Sequence, residues 1–188
     1  MYVRSNHDTE IRLTLEAMVD LLNALADDDD PTEPDADIRD LLHRHEFARA
    51  RSAPAAAIDG VEARARLMAD TLRALPDAEP LSVTTWINRE LTAIDITPSL
   101  TEHDGAGLHI HWTPESASFD DQVIADVLMA LAQEVCDHGT SRFGICAATD
   151  CEHLFFDATR NGSRRFCSDP RCASRTHTAD HRARQRST

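Results

Sequence analysis

Apolar residues recur at helical spacing along most of this chain. Between Asp8 and Ala26, the residues Ile11, Leu15, Met18, Leu22 and Leu25 form one narrow stripe, which predicts an amphipathic helix with a core face. A short helix is expected around Ile38–Phe47. From Asp59 to Leu75 the spacing returns with Val61, Leu67, Met68, Leu72 and Leu75, and Pro76 and Pro80 bracket the loop beyond. Leu81–Ile94 reads as a further helix. The period then changes: Leu108-His109-Ile110-His111-Trp112 alternates strictly and Asp104-Gly105-Ala106-Gly107 is a turn signal, so residues 97–114 predict a hairpin. Ser118 is placed to cap another long helix, with Val123, Val127, Leu128, Leu131 and Val135 on its apolar face and Gly139 at its end.

Several polar residues interrupt this frame. Asp20 and Asn23 lie one turn apart on the first helix, a spacing that favours hydrogen bonds across a helix interface over contact with a ligand. Asp27 to Asp35 holds four consecutive acids and two prolines; it predicts a solvated loop without the glycine-centred spacing of a calcium site. His43, His45 and Glu46 fail as a metal motif because Arg49 stands where H-E-x-x-H needs its second histidine. His109 and His111 share a strand face and are read as exposed polar positions. Cys136, on an apolar helix face, is expected to be a buried thiol.

The other four cysteines carry the chemistry. They fall as Cys146-x4-Cys151, fifteen residues, then Cys167-x4-Cys172. Two thiolate pairs joined by a short connection can close a tetrahedral site, which Zn²⁺ prefers in a structural role. Leu154-Phe155-Phe156 reads as a strand, Asn161-Gly162 as a type I′ turn, and Arg164-Arg165-Phe166 as the returning strand. Ser168 or Asp169 then caps a last helix with Pro170 in its first turn, and Cys172 sits near its N-terminus, where the dipole favours a thiolate. A helix over Arg171–Arg186 gathers Arg171, Arg175, Arg182 and Arg186 within about 60° of arc.

Net charge is −14, against a chain that coats nucleic acid indiscriminately. Yet Ala158–Thr188 holds eight arginines against Asp169 and Asp180, a local +6, so the preceding residues carry −20. Neither a secretory leader nor a run of about 20 apolar residues is present, which predicts a cytoplasmic chain without a membrane span. In a reducing compartment paired cysteines favour metal over disulfides.

The segment LFFDATRNGSRRFCSDPRCASR, with the cysteines before it, resembles the CGNR zinc finger. Its pattern is matched by Cys146, Cys151, Leu154, Phe155, Asp157, Thr159, Arg160, Asn161, Ser163, Arg164, Arg165, Phe166, Cys167, Ser168, Cys172 and Arg175. The tetrapeptide that names the family has become Cys172-Ala173-Ser174-Arg175, and the basic run after it is His177-Thr178-Ala179-Asp180-His181-Arg182-Ala183-Arg184, with two basic positions weakened. More weakly, Val19-Asp20-Leu21-Leu22-Asn23-Ala24-Leu25 and Ile87-Asn88 resemble the leucine–asparagine signatures of the ABATE domain that usually precedes this finger.

The resemblance implies a mainly helical ABATE-like domain with one hairpin over residues 1–139. It implies a treble-clef-like finger, hairpin plus basic C-terminal helix, over 140–188, docked on the helical body across the short connector Thr140–Ile145. It further implies Zn²⁺ on Cys146, Cys151, Cys167 and Cys172, in a stress-linked bacterial transcription regulator. DNA contacts are expected from Arg160, Arg164, Arg165, Arg171, Arg175, Arg182 and Arg186. Asp157, Arg160, Asn161, Ser163 and Arg164 are expected mainly to hold the finger's hairpin, with contact between nucleic acid and Arg160 and Arg164 as the alternative. Sensing of a small-molecule effector, or assembly, by the helical domain follows from family analogy alone. A homodimer would help a single finger overcome its acidic body. The competing function is a zinc-dependent protein-interaction or RNA-binding module without direct DNA contact. An enzyme is not expected, because four cysteines fill zinc's coordination sphere and no deaminase pattern or phosphate-binding glycine loop is found.

Overall fold

The computed structural model describes residues 6–27, 37–102 and 108–186, the side chains of 6, 7, 179–184 and 186 excepted. The first apolar stripe becomes α1 (Asn6–Asp27). There follow α2 (Ile38–Arg44), α3 (Ala55–Arg73), α4 (Pro80–Leu91), the antiparallel pair β1 (Ser99–Glu102) and β2 (Leu108–His111), and α5 (Phe119–His138). The chain closes with a second antiparallel pair, β3 (Phe143–Ile145) and β4 (Leu154–Phe156), and α6 (Pro170–Arg186). It is mainly helical with two small hairpins, as expected. Most of the acidic loop and the Asp104–Gly107 turn lie outside the described residues.

Local chemistry explains the boundaries. Asp37 caps α2 by accepting from the Asp40 amide, and Ser118 caps α5 by accepting from that of Asp121. Gly139 stops α5 at φ 64°, in the left-handed region where a side chain would be strained.

α5 is the hub, packed against α1, α3 and α4. One core cluster joins Leu15, Met18 and Leu22 of α1 to Met68 and Leu72 of α3, Val83, Trp86 and Ile87 of α4, and Ile124, Leu128 and Leu131 of α5. A second joins Leu21 and Leu25 to α2, the start of α3, Phe119 and Val123. Phe143, Leu154 and Phe156 belong to the first cluster, so the β3–β4 hairpin is built into the helical core.

Three readings of the helices and of the strand pairing need correction. Leu67 is 85% exposed; it falls about 120° around α3 from the Val61–Ala65–Met68–Leu72 stripe. Cys136 is exposed, not buried, because it continues a second stripe on α5, Gln122, Asp126, Met129 and Gln133, that opens onto a cavity. Third, the partner of Leu154–Phe156 is Phe143–Ile145, the stretch taken for a connector, and not Arg164–Phe166. Gly144 makes that pairing compact: a Cβ there would lie 2.5 Å from the Phe155 ring.

β4 would be an exposed edge on its other side, where unpaired backbone groups are costly when buried. Asn23 closes it. Its Nδ2 donates to the Leu154 carbonyl at 2.9 Å and its Oδ1 accepts from the Leu154 amide at 3.0 Å, so one buried side chain substitutes for a third strand. Asn23→Ala should destabilise the protein by roughly 2–4 kcal/mol, because both Leu154 groups lose their partners in a buried place. Urea unfolding followed by circular dichroism measures this, and a change below experimental error would show that Asn23 is not the joint.

Candidate metal centre

Cys146 follows β3, Cys151 lies just before β4, Cys167 precedes α6, and Cys172 stands in its first turn. The four sulfur atoms all lie within 4.8 Å of one another. Cys151 Sγ is 3.8 Å from Cys167 Sγ, which is 3.7 Å from Cys172 Sγ. A tetrahedral ion with metal–sulfur bonds of about 2.3 Å, the zinc value, places its sulfurs about 3.8 Å apart. The donor set therefore fits a four-thiolate metal site. Cys146, Cys167 and Cys172 are buried and Cys151 is half-buried.

Such packing opposes ionisation at Cys151 and Cys167. Burial pushes the Cys167 thiol up to about 11, against the backbone amide of Asp169 and together with the thiols of Cys172 and Cys146. Cys151 is raised too, first by burial. Cys146 is lowered, because the amides of Cys167 and Ala148 and two neighbouring thiols outweigh its burial. Amide donors at the sulfurs suit thiolate, the form that binds metal. Arg175 adds a cation: its Nη2 donates to Cys172 Sγ at 3.5 Å while it pairs with Asp150 at 3.3 Å.

Below the cysteines, a polar frame holds the turn. Buried Asp157 accepts from the Thr159 amide at 2.8 Å and the Arg164 amide at 2.6 Å. Its pKa is lowered because bonds to Thr159 and Arg164, with the Arg142 charge, outweigh burial. Gly162 donates to the Thr159 carbonyl at 3.4 Å and takes φ 56°. Asn161 does not take a positive φ, so the expected type I′ geometry is replaced by a turn with the left-handed residue at its end. Ser163 donates its amide to Thr159 Oγ1 at 3.4 Å.

The arginines expected to contact DNA divide. Arg164 faces inward, donating to the carbonyls of Phe166 and Phe156 and lying over the Phe155 ring at 5.6 Å. Arg171 binds the helix-capping carboxylate of Asp169 at 2.9 Å, and Arg175 serves Cys172. Arg165 is exposed above Phe166, and Arg160 is exposed. The side chains of Arg182 and Arg186 lie outside the described residues.

Sequence reading missed Arg142 and Glu134. Arg142 donates to the carbonyls of Asp157 and Thr159, both at 2.9 Å, and its Nε lies 3.5 Å from Glu134. Glu134 is buried, and burial raises its pKa against His138 and Arg142. His138 Nδ1 is 3.0 Å from Glu134 Oε1, yet that oxygen has no properly aligned hydrogen bond. The available signal was an acid on the buried stripe of α5, three residues past Leu131.

The finger meets the body at three polar points along α1. Besides Asn23–Leu154, Asp27 binds His153 at 2.9 Å, and Ser168 Oγ donates to Asp20 Oδ1 at 3.5 Å. Asp20 also binds His45 at 2.9 Å, so the Asp20–Asn23 pair serves interfaces. Asn88, its counterpart on α4, is exposed.

Removing the metal with a chelator should raise amide exchange at residues 146–151 and 165–178 while Phe143, Leu154 and Phe156 stay protected by the core. Equal loss of protection throughout, or none anywhere, would contradict this division. Asp157 contributes stability above the ordinary aspartate pKa of about 3.9, lost as pH falls through its lower folded value. Asp157→Ala should lower Tm at neutral pH and flatten the decline of Tm below about pH 4; parallel wild-type and mutant profiles would remove this role.

No curated protein matches the chain. Residues 142–185, which hold the four converging cysteines and the Asp157 turn, match the family model described as CGNR zinc finger.

Proposed function

We propose that this chain is a zinc-containing DNA-binding transcription regulator of the stress-linked bacterial class, with an ABATE-type helical domain that senses a ligand or mediates assembly. Zinc on Cys146, Cys151, Cys167 and Cys172 is the reading best supported by the sulfur spacing and the family match. When bound, it supplies a rigid crosslink between the β3–β4 knuckle and the start of α6. Four thiolates leave no coordination position for a reacting water, so this reading gives the metal a structural role and expects no catalysis at it.

The observation that carries the DNA reading is charge asymmetry mounted on a rigid joint: +6 over Ala158–Thr188 against −20 before it. Arg164 has internal work and the exposed Arg171 and Arg175 are paired with Asp169 and Asp150, leaving Arg160 and Arg165 as the members of the set with no ion pair among the described residues. Arg182 and Arg186 complete the proposed contact set. The acidic body restricts such a surface to local contacts and favours pairing of two fingers in a dimer.

Fluorescence anisotropy with a short duplex at two salt concentrations tests this. Arg160→Ala with Arg165→Ala, and separately Arg182→Ala with Arg186→Ala, should weaken binding and reduce the salt slope by about one unit per lost phosphate contact. Metal content should stay unchanged. Wild-type protein that binds no duplex at low salt, yet captures protein or RNA through the finger, would replace this reading with the protein-interaction or RNA-binding one.

A further inference from the structure

A cavity of about 790 Å³ opens between α1, the segment after α2, the β1–β2 hairpin and α5. This is the size range of pockets for small organic ligands. α5 contributes a stripe at helical spacing, Gln122, Asp126, Met129, Gln133 and Cys136, that the core leaves uncovered. Phe47, Trp112 and Phe119 supply aromatic wall. Leu100 and Leu108 of the hairpin are exposed while His109 and His111, with Nε2 atoms 3.1 Å apart, are half-buried against the cavity. His109 and His111 are thus half-buried in the cavity lining beside Ile110 and Trp112, where the sequence predicts exposed positions.

The wall's charges are incomplete. Asp126 is half-buried in the cavity wall, and no described side chain donates to its carboxyl or forms an ion pair with it. Glu10 of α1 lines the same cavity, near enough to repel it, and has no cationic partner among the described residues. Burial and then Glu10 push the Asp126 carboxyl up to about 7. Glu46 and Arg49, also in the lining, are exposed and opposite in sign, so they cancel. A half-open cavity with an aromatic wall, lined also by histidines and by two acids without an ion pair among the described residues, suits a cation with an apolar body. Aromatic faces add attraction for the same charge.

We infer that this cavity is a binding site for organic cations, amphipathic amines or quaternary ions whose positive centre pairs with Asp126 and Glu10 while the apolar body packs on Phe47, Trp112 and Phe119. The inference rests on the sensing part of the proposed function and gives it a site and a ligand class.

Tetraphenylphosphonium and tetraphenylborate have the same shape and opposite charge. Titrated calorimetrically into the full chain, the phosphonium should bind one per chain and the borate roughly tenfold more weakly or worse, since the two acids attract the first charge and repel the second. Asp126→Asn should reduce phosphonium affinity by a similar factor with zinc content and Tm preserved. Glu10→Gln, on a different helix, should reduce it as well and serves if the first variant does not fold. Borate binding as tight as phosphonium, or phosphonium affinity unchanged in both variants, overturns the site. DNA affinity is measured separately on the same samples: phosphonium binding through Asp126 with unaltered DNA affinity upholds the site and removes only the sensing link.

Discussion

The fold depends on how the outer edge of β4 is satisfied. A three-residue strand buried on all its side chains cannot leave its backbone unpaired, because water does not reach it. Asn23 meets that requirement at Leu154 from a helix 131 residues earlier, with one acceptor and one donor opposing the Leu154 amide and carbonyl, and Arg164 meets it at the Phe156 carbonyl. A hydroxyl could not bridge both groups in the same way, and an aspartate would set a charge against the carbonyl. This one amide fixes the register of finger against body, and Asp20 and Asp27 secure the contact one turn to either side.

Two different forces therefore hold the finger. Its hairpin is held by apolar burial of Phe143, Leu154 and Phe156 in the helical core, whereas its cysteine cluster is a small isolated packing unit with Ala148 and Phe166. So small a unit cannot offset the conformational entropy of its own loops, and metal binding supplies what hydrophobic burial does not. The arginines follow the same division. Arg142 and Arg164 tie loop carbonyls to the core, Arg175 answers thiolate charge, and Arg160 and Arg165 remain at the surface. Counting cations in the sequence overstates the interaction surface because guanidinium groups also suit internal carbonyls.

The helices and the cysteine site were legible because their signals are local and repeated. The α1 stripe and the Ser118 and Gly139 boundaries needed only neighbouring residues. The β3–β4 pairing was not legible: Phe143-Gly144-Ile145 is too short to show a period, and Gly144 mimics a linker unless Phe155 is known to cover it. The roles of Glu134 and Arg142 were hidden for a related reason, since their meaning arises from a long-range contact with the Asp157 turn. Cys136 misled because α5 is buried over most of its circumference, so that its stripe facing the cavity is difficult to distinguish from its core face.

The cavity and the finger share their supports. α1 carries Glu10 in the cavity wall and Asn23 at the joint, about 20 Å apart along one helix. α5 carries Asp126 in the wall and Glu134 beside Arg142. A shorter route runs through His45, which lines the cavity and binds Asp20, the acceptor of Ser168 next to Cys167. Contiguity alone transmits nothing: a ligand shifts the finger only by the difference in its affinity for two arrangements of these groups. The Asp20–His45–Ser168 contacts are the place where two arrangements are cheapest to interchange, being half-exposed polar bonds. The Asn23–Leu154 pair is buried and would lose both bonds at once. On the proposed sensing reading, the Asp20 contacts would therefore yield before the Asn23–Leu154 pair.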